Sequence, residues 1–557
     1  MLEELEAALW QRPDDDGRLA AYQDAFRQLE QHNTAPRHHF IIVIPVADRP
    51  QHLEACLAST LTLCDSFGYG GREGGRYHKV ELLIADDSRE PNNIVRHREI
   101  AADYSRRGLT CHYFGQAEQL AQLTRLNAAT RRQLAPIIGN TPAEAFYHKG
   151  ASLMRNIAYL RLQEMVAGRD DTLIYFIDSD QEFQVKVASG DGERNLYAIN
   201  YLYQLDRIFR DTDAAILTGK VVGDPPVSPA VMAGNFLDDV SAFLQECSTL
   251  GAGDGCSFHR PQPRHSDDAA YHDMAELFGF KKKADAFHYH CSLRGAHDHA
   301  ACLADFARRL NRFFDGEHPT RNSYYEHLPL AGTITPARTI YTGNYCFRAA
   351  ALRYFIPFAT LKLRMAGPVL GRIIKAELGG RFVSANLPML HKRTVEEIGQ
   401  SEFRPGIERQ AESVDLSGEY ERQFFGDVML FTMERLTAGG FPQQPVAATE
   451  VTTTVEAVEA EMLEKYRLKH AQVVDKVAAL RTLFEAPQQW WHHDPALHIA
   501  VSEFRRFIAN MEHNFGESAR GYALINDAAH RAGRRETIIE AILHYCADRA
   551  RWEALLA

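Results

Sequence analysis

Short apolar runs alternate with helical stretches along the chain. The runs at 40–46, 80–85, 173–177 and 214–218 are rich in β-branched and aromatic residues and predict four strands. The run at 173–177 is apolar throughout, as expected for a strand buried on both faces of a sheet. The alternation therefore predicts an α/β fold with a mostly parallel central sheet.

Helical spacing of apolar residues marks both ends of the chain. Residues 1–36 predict an N-terminal helical arm, and residues 455–557 predict a C-terminal helical domain after a linker at 441–454. Between them lies the predicted catalytic domain, 37–440, with a His-rich insertion at 247–330. The C-terminal stripes are Val473, Val477, Leu480 and Phe484, then Leu497, Val501, Phe504, Ile508 and Met511.

The amino-acid composition is typical of a globular enzyme. Of 557 residues, 45% are hydrophobic and 24% are charged. The net charge is −11 without a Lys/Arg stripe, so no nucleic-acid partner is expected. The apolar run at 40–47 is far shorter than the roughly 20 residues that span a bilayer, so no membrane span is expected. An acidic start without a signal-type apolar segment, and nine cysteines without C-x-x-C pairs, predict a cytoplasmic protein with reduced thiols.

An acidic pair follows the strand at 173–177. Asp178 and Asp180 flank Ser179, and ligands of open α/β sheets bind beyond the carboxyl ends of the strands. Two carboxylates at such an edge suit a hard divalent cation, Mn²⁺ or Mg²⁺. The alternative is an ordinary polar turn after a strand.

Further polar strand ends accompany this pair. Asp86 and Asp87 follow the second strand, the first strand runs into Pro45 and Val46, and 150–156 reads Gly-Ala-Ser-Leu-Met-Arg-Asn just before the third. This order resembles the nucleotide-sugar glycosyltransferases of the GT-A fold, particularly family 2 and the retaining enzymes that make glucosyl- or mannosylglycerate.

The resemblance implies a Rossmann-like GT-A domain that binds a UDP- or GDP-sugar with Mn²⁺ or Mg²⁺. By it, Pro45 and Val46 flank the nucleoside and Asp87 accepts from the base N–H. Arg155 lies near the donor phosphates or braces the metal carboxylates, and is a candidate catalytic residue. Asp178 contacts donor and metal, and Asp180 is a metal ligand. The alternatives are a helix cap for Asp87 and an ordinary surface cation for Arg155.

The acceptor side resembles the family less closely. Gly343 and Asn344, in the loop 341–348, match the small-residue loop that contacts the acceptor. The Glu-Asp pair that many family 2 enzymes carry is absent from 364–372, so the usual general base is missing. Either Asp238 or Asp239 supplies it, or the enzyme retains the anomeric configuration and needs none, the reading we favour.

Two histidine features have open roles. His391 ends an apolar stretch and, by the resemblance, completes the metal shell; the alternative is a structural histidine, while Lys392 or Arg393 could hold the diphosphate. In the insertion, a zinc site with Cys256 and Cys291 is conceivable, but no C-x-x-C or H-x-x-x-H pair supports it. Polar recognition of an acceptor is favoured for its histidines, which are His259, His265, His272, His288, His290, His297, His299, His318 and His327.

The predicted function is therefore metal-dependent transfer of a sugar to a small hydroxylated or sugar acceptor. A nucleotidyltransferase is one alternative, although 45–50 lacks the expected glycines. A non-catalytic protein that binds nucleotide-sugars on a transferase frame is another. The C-terminal helices also suit packing or homo-oligomerisation.

Overall fold

The computed structural model of the chain describes residues 1–33, 35–189, 192–259, 287–340, 343–356, 358–395, 402–411 and 413–556. Tyr341, Thr342, His265 and His272, which were singled out above, lie outside these residues.

The described residues contain strands of very different lengths, most of the longer ones in one sheet. In chain order the strands are β1 (His39–Val46), β2 (Arg72–Glu73), β3 (Arg76–Tyr77), β4 (Val80–Asp86), β5 (Thr110–Phe114), β6 (Thr172–Ile177), β7 (Gln181–Glu182), β8 (Val185–Ser189), β9 (Gly192–Leu196), β10 (Ile216–Gly223), β11 (Thr335–Pro336), β12 (Asn344–Arg348), β13 (Phe382–His391), β14 (Glu408–Arg409) and β15 (Val414–Asp415).

The helices surround this sheet. They are α1 (Leu2–Gln11), α2 (Asp16–His32), α3 (Pro50–Phe67), α4 (Pro91–Arg106), α5 (Gln116–Thr124), α6 (Ala128–Gln133), α7 (Ala135–Ile138), α8 (Ala151–Val166), α9 (Tyr201–Asp211), α10 (Pro229–Ser248), α11 (His299–Leu310), α12 (Ala366–Leu378), α13 (Ser417–Ala438), α14 (Ala448–Phe484), α15 (His498–Phe515), α16 (Arg520–Asn526) and α17 (Ala528–Leu556).

The central sheet is mixed but mostly runs in one direction. Its order is β11-β13-β10-β12-β6-β1-β4-β5, with β7 paired to β13. β1, β4, β5, β6, β10 and β13 share one direction, whereas β12 is antiparallel to both of its neighbours. The predicted α/β class is confirmed, and each predicted strand is present. The fourth begins at Ile216 and extends to Gly223, beyond the predicted 214–218.

Each face of the sheet carries its own hydrophobic core. One core packs α3 and α9 with the N-terminal helices, through Leu9, Tyr22 and Phe26. The other packs α8, α10 and α13 together with the C-terminal helices. The predicted helical stripes of the C-terminal segment are buried in this second core, from Val473 to Met511.

The C-terminal helices share their core with the sheet. Trp552 of α17 is fully buried, and its indole Nε1 donates to the carbonyl of Leu352 at 3.2 Å. Phe441, in the predicted linker, is also buried, and α14 begins at Ala448 inside that linker. Packing is therefore continuous across the predicted boundary. Among the described residues, no helix combines the length and the apolar character needed to cross a membrane.

Replacing Trp552 with alanine tests this shared core. We expect Trp552→Ala to lower the free energy of unfolding by about 3–5 kcal/mol, because a large buried side chain and its hydrogen bond are lost. Leu543→Ala on the same helix is the control, since Leu543 is 40% exposed, and it should change stability by less than about 0.5 kcal/mol. Equal urea unfolding midpoints for the two variants would contradict a shared core.

Candidate active site

A cavity of about 640 Å³ lies at the carboxyl edge of the sheet. Because β1, β4, β6 and β13 run in the same direction, the residues that end them meet at this edge. The structure thereby brings the following predicted site residues into one cavity lining: Pro45, Val46, Asp87, Arg155, Asp178, Asp180, Gly343, His391 and Arg393.

Asp180 and His391 face each other in the cavity. The Nε2 atom of His391 is 3.6 Å from Oδ2 of Asp180. The Nδ1 atom donates to the carbonyl of Asp224 at 2.7 Å, which fixes the ring with Nε2 directed at the carboxylate. Asp178 is one-third exposed in the same cavity. Carboxylate and imidazole are ligand types that Mn²⁺ accepts, and Mg²⁺ accepts the carboxylates, so these side chains are the candidates for holding a divalent ion in this cavity.

Positive charge surrounds Asp180. Oδ2 of Asp180 is 3.2 Å from Nη1 of Arg49 and 3.5 Å from Nη1 of Arg393. Burial by itself raises the pKa of Asp180, but His391 and the two guanidinium groups outweigh that effect and hold the pKa well below its usual range. The carboxylate is therefore ionised and available as a ligand at neutral pH.

Arg155 braces the other carboxylate. It lies on α8, and its Nη2 atom donates to Oδ1 of Asp178 at 2.7 Å. Oδ2 of Asp178 faces Gly343, where an added Cβ atom would stand only 2.6 Å from that oxygen. Gln181 fixes the backbone of Asp178, because its Oε1 atom accepts from the N–H of Asp178 at 3.0 Å. The carboxylate of Asp178 thus has one defined position.

Asp87 joins the end of β4 to the start of α8. Its carboxylate pairs with Lys149 and accepts from the N–H of Gly150 at 3.2 Å. Burial raises the pKa of Asp87, and Lys149 offsets the rise only in part. Asp87 does not cap α4, the alternative role considered for it, because α4 begins without a side-chain cap hydrogen bond. The side chain of Asp48 accepts from the N–H groups of Arg89 and Glu90, just before that helix.

The opposite wall comes from the segment 402–411 and from the turns before α12 and α13. Phe403 stacks on the ring of His148 with centroids 3.9 Å apart, and its carbonyl accepts from Nε of Arg49 at 2.8 Å. Around the cavity, seven Lys and Arg side chains stand against five carboxylates. The cations are Arg49, Arg155, Lys362, Arg364, Arg393, Arg404 and Arg422. This excess of positive charge favours an anionic ligand.

Two predicted ligand-binding residues do not reach the cavity. The ammonium group of Lys392 lies 2.9 Å from Glu182. Asn344 is buried within the sheet, where its side chain accepts from the hydroxyl of Tyr175 and donates to the carbonyls of Lys220 and Leu387, each at 2.8 Å. Its amide holds β12 between its neighbours, and Gly343 alone of the predicted acceptor pair lines the cavity.

The acids predicted as candidate bases also lie elsewhere. Asp238 on α10 pairs with Lys476 of α14 at 2.7 Å and is half-exposed. Asp239 is fully buried, and both of its oxygens accept from Arg321, at 2.6 and 2.7 Å. Neither residue is part of the cavity lining, because α10 directs both side chains toward other elements. The structure therefore corrects their assignment as candidate bases.

The described residues of the His-rich insertion likewise lie outside the cavity lining. Within the part of the chain that the structure describes, the cavity lining includes no residue of 247–330. The end of β10 and the turn that follows it do reach the cavity, through Val221 and Pro226.

Several lining residues were missed by sequence reasoning. Arg49 follows the first strand and His148 lies two residues before Gly150, so their adjacency to motifs was an available signal. Glu408 and Glu419 lie far along the chain and carried no such signal. The wall at 402–411 depends on long-range packing, which local patterns do not encode.

Comparison with known proteins adds one structural likeness. No protein-family profile matches the sequence, and no curated protein sequence matches it. Among solved structures, the mannosyltransferase PcManGT from Pyrobaculum calidifontis, in complex with GDP-Man and Mn²⁺, is similar over 93% of this chain and 100% of that chain. The TM-score is 0.31 and the sequence identity is 9%, too low to support an inference about fold or function.

The close approach of Gly343 to Asp178 gives a test of the metal-binding geometry. We expect Gly343→Ala to weaken Mn²⁺ binding about 10–100-fold, because the new methyl group must displace the Asp178 carboxylate. Gly332→Ala is the matched control, since nothing lies within 4 Å of an added Cβ atom there. Calorimetric titration with Mn²⁺ measures both, and unchanged affinity in a folded Gly343→Ala variant would contradict the placement.

Proposed function

We propose that the chain is a metal-dependent glycosyltransferase that moves a sugar from a nucleoside-diphosphate sugar to a hydroxyl acceptor. The observation that carries the proposal is the meeting of Asp178, Asp180 and His391 in one arginine-rich cavity at the carboxyl edge of the sheet. We place the donor there, in what would be a GT-A-type domain. The nucleotide end would lie against Pro45, Val46 and Asp87, as the sequence resemblance implies.

The reaction breaks the bond between C1 of the sugar and the diphosphate, so negative charge grows on the leaving group. Arg49 and Arg393 lie beside Asp180 and are positioned to contact those oxygens. Preorganised contacts of this kind are typically worth about 3 kcal/mol each. Arg155 acts through Asp178, whose carboxylate it orients.

Asp178, Asp180 and His391 would hold the divalent ion, whose charge, when bound, further offsets that of the diphosphate. His391 suits this task because the carbonyl of Asp224 fixes its ring orientation. A cation also relieves the repulsion between the two carboxylates and the donor phosphates, so metal and donor should bind together.

The acceptor would enter beside Gly343, facing the start of α12 and the segment 402–411. Gly343, Ala366 and Gly367 line this side with small residues, which leaves room for a hydroxylated molecule or a sugar. This replaces the His-rich insertion as the proposed acceptor wall.

Retention of the anomeric configuration remains our proposal. The stretch 366–367 contributes no acid, and Asp238 and Asp239 lie outside the cavity. Beyond the proposed metal ligands, the described part of the lining holds three carboxylates. Asp87 is paired with Lys149, and Glu419 is buried 3.5 Å from Arg364, so Glu408 is the described carboxylate on which inversion would have to depend. In a retaining front-face reaction, a departing diphosphate oxygen takes the acceptor proton, and the protein supplies geometry and charge.

Variants of the ligand set test the function. We expect Asp180→Asn and His391→Ala each to lower kcat at least about 100-fold, because charge stabilisation of the leaving group is lost. Excess chelator should stop the wild-type reaction and Mn²⁺ or Mg²⁺ should restore it. The assay is release of nucleoside diphosphate from a panel of UDP- and GDP-sugars.

Asp238→Asn is the matched control, since Asp238 is an acid away from the cavity, and it should retain nearly full activity. Turnover by the chelated wild type, or by a folded Asp180→Asn variant at the wild-type rate, would contradict the proposed site.

The stereochemical proposal predicts that the first-formed product keeps the donor's anomeric configuration. Proton NMR, recorded before mutarotation, reads the configuration directly. Glu408→Gln should leave the rate within a few-fold of wild type, because retention needs no protein base. An inverted product together with an inactive Glu408→Gln variant would overturn retention and identify Glu408 as the base.

A further inference from the structure

Four side chains able to bind a metal meet beyond the carboxyl end of α10. They are Cys256, His259, Cys291 and His297, and one ligand atom of each lies within 4.8 Å of all the others. In sequence they form a C-x₂-H pair and a C-x₅-H pair. This spread fits a single ion, and none of the four residues lines the candidate active site.

Backbone N–H groups hold the two cysteine sulfurs in position. The N–H of Phe258 donates to Sγ of Cys256, and that of Leu293 donates to Sγ of Cys291, each at 3.4 Å. Backbone donors of this kind orient a ligand atom toward a metal.

The two segments that carry these side chains, 256–259 and 291–297, form the two arms of the cluster and are joined by backbone hydrogen bonds. The N–H of Cys256 donates to the carbonyl of His297 at 3.0 Å, and the N–H of Cys291 donates to that of Phe258 at 3.1 Å. Phe258 itself is buried against Phe243 and Tyr289, so the arms rest on the hydrophobic core.

The ring of His297 is oriented as a metal ligand. Its Nδ1 atom lies 2.8 Å from the carbonyl of Gly295, which leaves Nε2 as the lone-pair nitrogen, 3.3 Å from Sγ of Cys291. In a tetrahedral site with Zn–S of about 2.3 Å and Zn–N of about 2.0 Å, sulfur and nitrogen ligands stand about 3.5 Å apart. The observed separation is close to that value.

We propose that Cys256, His259, Cys291 and His297 bind one zinc ion. Two thiolates and two imidazoles in a compact group suit Zn²⁺, whereas Mg²⁺ and Ca²⁺ require oxygen ligands. Four protein ligands close the coordination shell, so the site is structural rather than catalytic.

Cys302 lies behind the ligands and is assigned a supporting role. Its buried Sγ atom is 3.3 Å from Sγ of Cys256 and 3.6 Å from Sγ of Cys291, so its single S–H group is within reach of either sulfur as a donor. Such second-layer donors tune the charge on metal-bound thiolates.

A zinc ion at this site would link the segments 256–259 and 291–297, which lie on either side of 260–286 in the sequence, next to the start of α11. It lies at the far end of α10 from Pro226, which lines the active-site cavity, and the 20 residues of α10 span roughly 30 Å. Zinc binding therefore does not rest on the proposed transferase function.

Metal analysis of the full-length protein, purified without added metal, tests the proposal. We expect one zinc per chain by elemental analysis, lost in the double variant Cys256→Ser with Cys291→Ser. Cys546→Ser is the control, because Cys546 is an exposed cysteine near the C-terminus. In the wild type, Co²⁺ substitution should give thiolate charge-transfer and tetrahedral absorption bands.

Stability provides a second readout. Removal of zinc should lower Tm by several degrees, and Zn²⁺, but not Mg²⁺, should restore it. Asp180→Asn should keep its zinc, which separates this site from the proposed catalytic one.

Three results would overturn the assignment. The first is less than 0.1 equivalent of zinc in the wild type, including the case in which thiol titration finds these cysteines in a disulfide. The second is an unchanged zinc content in the double cysteine variant. The third is zinc lost in Cys302→Ser but kept in His259→Ala, which would replace one ligand of the proposed set.

Discussion

A buried carboxylate stays ionised only if positive charge lies beside it, and the candidate active site is built around this constraint at Asp180. Arg49, His391 and Arg393 approach one oxygen of its side chain from β1 and β13, the strands whose ends flank it. The guanidinium groups of Arg49 and Arg393 are costly to bury alone and are stabilised by the shared acid. The segment 402–411 then closes over the group through the contact of Phe403 with Arg49.

The antiparallel strand β12 brings Gly343 to the same edge of the sheet as the acidic residues. The strands that share a direction have their carboxyl ends at the cavity, whereas β12 runs the opposite way and has its amino end there. Because Asn344 pairs with Ile177, Gly343 falls directly against Asp178. The proposed donor and acceptor sides of the cavity are thus brought together by one antiparallel pairing, to which the buried side chain of Asn344 contributes.

Sequence patterns predicted what depends on local chemistry. Continuous apolar runs predicted the strands, and the convergence of parallel strand ends at one sheet edge predicted that Asp178 and Asp180 face a binding crevice. The family resemblance, not the pattern, predicted that His391 joins them. Patterns could not predict the helix face from which Asp239 reaches Arg321, or the long-range packing that brings Glu408 to the cavity. The cysteine and histidine cluster escaped a search for C-x-x-C pairs, because its ligands form mixed C-x₂-H and C-x₅-H pairs that meet only after folding.

Pulsed electron paramagnetic resonance of bound Mn²⁺ tests the central claim most directly. In the presence of a nucleoside diphosphate, the spectrum should show a directly coordinated ¹⁴N nucleus and a nearby ³¹P nucleus, and His391→Ala should abolish the nitrogen coupling while the zinc content stays unchanged. A Mn²⁺ signal without nitrogen coupling, or with nitrogen coupling that survives in His391→Ala, would contradict the assignment of Asp178, Asp180 and His391 as the site that holds the metal and the donor.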